Sequence, residues 1–149
     1  MNSLKQQDEL EGIVRELRAL PTETEWAEFK ANNTEPQMIG ERISAISNMA
    51  ALRGKICGYL LWGISNHDHA LVGTSFEPNK AKTGNEDLQL WLSRMLTPRL
   101  YFKFHEGMIE NKHIVLLEIP RAHNTPTQFS GVEYIRVGSC QQKYSTPEN

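Results

Sequence analysis

Cysteine is scarce in this chain. The 149 residues contain two, Cys57 and Cys140, too few for a disulfide framework or an all-thiolate zinc site. Two unpaired thiols fit a reduced, cytoplasmic setting. Charge of one sign is also missing. The formal net charge is -2, so no global positive field marks a nucleic-acid binder, and any such binding needs a local basic patch. Long apolar runs are absent too. The longest falls well short of the roughly 20 residues a membrane helix requires. The opening MNSLKQQDELEG has no apolar core of the kind a secretion signal carries, and no membrane contact is expected. No internal repeat or low-complexity segment stands out. There is no Gly-x-x-x-x-Gly-Lys-Ser/Thr loop and no dinucleotide fingerprint, so ATP binding has no support in the residues.

What is present is an ordinary globular composition, 39% hydrophobic and 23% charged, enough for one domain with a core. Leu10, Ile13, Val14 and Leu17 fall at helical spacing, which predicts an amphipathic helix over 4–20, ended by Pro21. Residues 24–30 alternate, with Trp26, Glu28 and Lys30 on one side and Glu25, Ala27 and Phe29 on the other. A second helix is predicted over 37–52. Ile39, Ile43, Ile46 and Ala50 form one stripe, Glu41, Ser44 and Asn48 the opposite one, and Gly54 serves as a left-handed cap. CGYLLWGIS reads as a strand covered on both faces, and 58–73 as a hairpin turning at Asn66–His69. A third helix over 85–96 and strands at 100–106, 112–119 and 132–138 complete the chain. The order α-β-α-β-β-α-β-β-β predicts an α+β fold, with helices on a mixed, mostly antiparallel sheet.

Several of these pieces together resemble the Schlafen AlbA_2 family. They are EWAEFK at 25–30, ERISAISNMA at 41–50, GYLLWGIS at 58–65, LVGTSF at 71–76 and GVEYIRVGS at 131–139. The resemblance implies an α+β domain associated with DNA binding, found in bacterial transcriptional regulators, in defence-type proteins and in Schlafen proteins. Such domains often stand N-terminal to an ATPase-like or winged-helix region. The polar tail QQKYSTPEN accordingly reads as the start of a linker. The expected division is an N-terminal helix over 1–21, the AlbA_2-like domain over 22–140, and linker over 141–149. Two departures stand out. MAALRGKIC separates Asn48 from Gly58 where the family usually has a Gly-Gly pair. The Gly-Val/Ile-Asp strand end reads Gly63-Ile64-Ser65-Asn66, without the Asp.

That second departure bears on the carboxylates of TETEWAEFK. Some Schlafen proteins resemble metal-dependent ribonucleases with a Glu-x4-Glu pair and a later Asp. Glu23 and Glu28 match the pair, and Asp68 lies close to the missing third position. A divalent Mg or Mn ion would want such hard oxygens with water positions left open, and no other cofactor is expected. The plainer reading is that these carboxylates pair with Lys30, Arg42 or Arg136, or are solvated. His67-Asp68-His69 has metal-binding letters, but a polar turn accounts for them. The basic residues Lys30, Arg42, Arg53, Lys55, Arg136 and Lys143 sit at element ends or polar faces. Gathered in space they would hold phosphates without reading sequence; scattered, they are a mixed-sign surface. Asn48 is a further polar contact or a structural cap. Trp62, Trp91, Phe29 and Phe76 are most simply core, and Tyr59 and Tyr134 are strand residues that a base could stack on. The reading adopted is a nucleic-acid-binding domain, with DNA or RNA as partner and a homodimer as a further possibility. A metal-dependent ribonuclease and a protein-interaction module are the alternatives.

Overall fold

The computed structural model describes residues 3–20, 24–138 and 140–143. The expected α+β class and element order hold. Helices α1 (Ser3–Arg18) and α2 (Pro36–Leu52) bracket strand β1 (Ala27–Lys30), and β2 (Cys57–Trp62) follows α2. The short strands β3 (Lys82–Thr83) and β4 (Glu86–Asp87) lead into α3 (Leu88–Met95) and β5 (Leu96–Thr97). The long hairpin β6 (Lys103–Ile109) and β7 (Lys112–Pro120) precedes β8 (Gln128–Phe129), β9 (Val132–Val137) and β10 (Cys140–Lys143).

The central sheet has the order β1-β2-β7-β6. β1 runs parallel to β2, and the other pairings are antiparallel. A row of partners, Ala27–Tyr59–Glu118–Lys103, crosses all four strands. The starts of β1, β2 and β6 and the end of β7 therefore lie at the same end of the sheet. The alternation expected in β1 decides what each face receives. Ala27 and Phe29 turn toward α1 and join Leu10, Val14, Leu17, Leu61, Ile64, Ile114 and Leu116 in one core. Each large side chain buried there contributes about 1.5–3 kcal/mol. On the other face Ile39, Ile43 and Ile46 of α2 meet Leu60, Trp62, Val115, Leu117 and Ile119.

A second sheet, β10-β9-β8-β5, covers the far side of α2. This explains why Ser44 and Asn48 of the polar stripe of α2 are buried as well as its apolar stripe. Ser44 Oγ donates to Thr127 O at 2.7 Å and accepts from Tyr134 N at 3.0 Å. The Ser47 and Thr127 hydroxyls are 2.8 Å apart. Asn48 Nδ2 donates to Thr127 O at 3.0 Å and Tyr134 O at 2.9 Å, and its Oδ1 accepts from Thr127 N at 2.7 Å. Gly40 lets the second sheet come this close, since a Cβ there would collide with the Phe129 ring. Past Leu52 the helix closes as expected. Gly54 has φ +70°, Gly54 N donates to Ala51 O, and Lys55 N donates to Ala50 O at 2.8 Å, the paired bonds of a glycine-terminated helix.

Several boundaries differ from the sequence reading; the strand expected at 100–106, for one, runs over Lys103–Ile109. The 58–73 hairpin reduces to one bridge, Ile64–Leu71, because the polar turn leaves only Ala70–Gly73 to pair back. The third helix begins at Leu88, since Glu86 and Asp87 pair with Thr83 and Lys82 first. Asp87 then caps it by accepting from Gln89 N and Leu90 N. Residues 141–143, expected to open a linker, pair with β9 as part of β10. α1 packs on the sheet, with Leu10, Val14 and Leu17 in the core. No described helix is long and apolar enough to cross a membrane.

Candidate nucleic-acid interface

Strand alternation sends Glu28 to the α2 side of the sheet, where it is 6% exposed. Three cations meet it there: Lys30 Nζ at 2.8 Å, Arg42 Nε at 2.8 Å and Arg136 Nη1 at 3.4 Å. Lys30 comes from the same strand, Arg42 from α2 and Arg136 from β9, so one carboxylate ties the central sheet, the helix and the second sheet together. Arg136 is 1% exposed and also donates to Ala27 O at 3.3 Å. Arg42 donates further to Gln141 Oε1, and Gln141 Nε2 donates to Glu41 at 3.0 Å. Gln141 is a participant the sequence reading missed, because a polar tail gives no strand signal until its partner β9 is known.

A second ionic group forms at the start of β1. Arg53 Nε donates to Glu25 Oε1 at 2.7 Å, and Gly138 N donates to Glu25 Oε2 at 2.8 Å. The Gly138 amide first, then Arg53, hold the Glu25 carboxyl below its usual 4.5. The Arg53 side chain keeps 55% of its surface exposed. Beside it the Lys55 ammonium lies 4.8 Å from the centre of the Trp26 ring, a cation–π contact that fixes the lysine without neutralising it.

The expected basic residues thus fall into two sets. Lys30, Arg42 and Arg136 converge on Glu28, with Arg136 buried; Arg53 and Lys55 stand on the rim beside Glu25 and Trp26. Lys143 lies in β10, opposite Tyr134. Asn48 is 6% exposed, and its amide is spent on the bonds that fasten α2 to the second sheet. Tyr134 is buried, and the Tyr59 hydroxyl accepts from the Cys57 thiol at 3.1 Å. Trp62, Phe29 and Phe76 lie in the core, and Trp91 packs edge-on against Phe129.

The carboxylates proposed for a metal site do not assemble among the described residues. Glu23 lies outside them. Asp68 is exposed and accepts from Ala70 N at 3.1 Å, a bond that lowers its pKa. Its turn docks on the α1 side: the His69 and Phe29 rings are 4.4 Å apart, and Arg18 Nε donates to His69 O at 2.7 Å. Glu28 faces the other way. No group of three or more His, Cys, Asp or Glu side chains among the described residues is placed to hold a metal ion. His105 and His113 pair instead with Glu118 and Glu106 on the β6–β7 hairpin.

Residues 23–145 match the family described as Schlafen, AlbA_2. The chain belongs to that family. No curated protein sequence matches it. Among solved structures, it is similar to the DIP2311 protein from Corynebacterium diphtheriae, with TM-score 0.53 and 13% identity. That match covers 97% of this chain and 27% of the other, so this chain spans about a quarter of that protein. It is also similar to the N-terminal domain of a RecG-related protein from Nitrosomonas europaea, described in relation to an ATP-dependent DNA helicase. Here the TM-score is 0.52 and the identity 22%, over 95% of this chain and 94% of that domain. At these identities the two neighbours show a shared fold and nothing finer.

Proposed function

We propose that this AlbA_2 domain binds nucleic acid, DNA in the first place, through phosphate contacts made by its rim cations. The observation that carries the reading is the Arg53–Lys55 corner. Both cations are exposed, and both are held in place, one by Glu25 and the other by the Trp26 ring. Cations fixed before binding lose less side-chain freedom when a phosphate arrives. Lys30 and Arg42, each about one-fifth exposed, add positive potential from behind. Arg136 supports them from the buried side. Family membership and the helicase-related neighbour support a nucleic-acid role of this kind, in a bacterial regulator or defence-type protein. Contacts of this sort position a backbone and carry no base readout.

The test is a titration of the protein into fluorescent duplex DNA at low and then rising salt. Binding should weaken steeply with salt. Arg53→Glu combined with Lys55→Glu should abolish it while the circular dichroism spectrum stays that of the parent. Unchanged affinity in the reversed-charge variant would refute the assignment.

A further inference from the structure

Beyond the β6 edge, the segment leading into β6 carries an aromatic side chain with no role in the core. Tyr101 is 76% exposed. The Arg99 guanidinium lies 5.6 Å from its ring centre, and a ring this exposed keeps its other face open. A recess of about 180 Å³ adjoins it, lined among others by Asp87, Gln89, Leu90, Ser93, Arg99 and Tyr101. Leu90 on its wall is 64% exposed. This is below the roughly 300–1,000 Å³ of pockets that enclose whole drug-sized ligands, so it suits one flat ring system. Its polar groups are partly uncommitted. Gln89 Nε2 is engaged with Pro78 O and Asn79 Oδ1, which leaves its Oε1 to accept, and the Ser93 hydroxyl is exposed. Among the described residues no carboxylate pairs with Arg99 or Lys103.

The topology connects this patch to the Arg53–Lys55 corner. The row Ala27–Tyr59–Glu118–Lys103 puts the start of β1 and the start of β6 at one end of the sheet. Trp26 and Lys55 therefore rim that end at one edge, and Arg99 and Tyr101 rim it at the other. Arg121 follows the end of β7 between them, with its N donating to Ile56 O at 3.1 Å. Three strand spacings make the row about 14 Å wide, room for a short run of nucleotides.

We infer that this end of the sheet is a track for single-stranded nucleic acid, with an unpaired base stacked on Tyr101 and flanking phosphates on Arg99 and Lys103. The inference rests on the nucleic-acid reading above and narrows it to a strand whose bases are free. A paired base cannot offer its face to the ring, whereas every unpaired base can, whatever its identity.

Fluorescence anisotropy with oligo(dT) and oligo(U) of about ten nucleotides, and with a duplex of the same length, separates the possibilities. Tyr101→Ala should weaken single-strand binding about tenfold and change duplex binding less than twofold. Tyr101→Phe should restore the single-strand affinity, because the ring does the stacking. The oligo(dT) and oligo(U) arms show which sugar is preferred. If Tyr101→Ala binds single strands as the parent does, while Arg53→Ala with Lys55→Ala does not, the track is wrong and the nucleic-acid reading stands. Equal losses on single strand and duplex would also overturn the stacking role. A parent protein that binds none of the three ligands overturns both.

Discussion

The two cationic regions of this domain are built on opposite principles. Around Glu28, three cations from three elements share one buried carboxylate. Around the common end of the sheet, Lys55, Arg99 and Lys103 are exposed, and Lys55 and Arg99 are oriented by the faces of rings rather than by charges. The Glu28 group is a joint: it spends its charge internally and fixes α2 and the second sheet against β1. The rim is a surface whose charge remains available. A count of basic residues in the sequence cannot separate the two. What separates them is depth: Lys30, Arg42 and Arg136 crowd one buried carboxylate, whereas Arg53 meets Glu25 with 55% of its side chain exposed and Lys55 meets a ring.

The comparison is broken most severely by removing the carboxylate at the centre of the joint. Glu28→Gln removes the carboxylate that Lys30, Arg42 and the buried Arg136 share. Breaking a buried pair from one side costs about 3–5 kcal/mol, so the melting temperature should fall by about 6–20 °C. Urea unfolding should show the same loss in midpoint. Asn48→Ala attacks the other fastening of α2, stripping partners from Thr127 N and Tyr134 O. Orphaned buried groups make this worth about 2 kcal/mol, again read by thermal melting, with the affinity of the folded fraction for DNA unchanged.

The smallest effect belongs to Glu25, and it appears as a pH dependence. Its folded pKa lies below 4.5, the value of a free glutamate, through the Gly138 amide and Arg53. Its contribution is therefore complete above about pH 4.5 and is lost as the pH falls through the lowered folded value. The stability gap between the parent and Glu25→Gln should be constant near neutrality and close as the medium becomes acidic. A gap that widened in acid would mean the carboxyl is not held as described.

Much of the fold was legible because its long elements carry strong periodicity. Leu10, Val14 and Leu17 mark α1, Ile39, Ile43 and Ile46 mark α2, and the alternation of β1 places Phe29 and Glu28 on opposite faces. The second sheet was not legible. Its strands include the two-residue pieces Leu96–Thr97 and Gln128–Phe129, too short to show a period, and it is fastened by bonds from Ser44, Ser47 and Asn48 to Thr127 and Tyr134. Once that sheet is known, Gly40 makes sense as the residue that admits Phe129. The Glu28 joint was half legible, since Lys30, Arg42 and Arg136 could be named as its partners, but not that Arg136 alone of the three is fully buried. The rim was hidden for a different reason. Trp26, Lys55, Arg121 and Tyr101 are far apart in the chain, and only the register of four strands brings them to one end.

The central claim is that the rim cations, and not those of the Glu28 joint, make the phosphate contacts. It is tested most directly by the salt dependence of DNA affinity for the parent and for Arg53→Ala with Lys55→Ala. Each lost phosphate contact removes about 0.9 from the slope of log affinity against log salt. The account predicts a slope shallower by about 1.8 in the double variant. An unchanged slope, at whatever affinity, would contradict it.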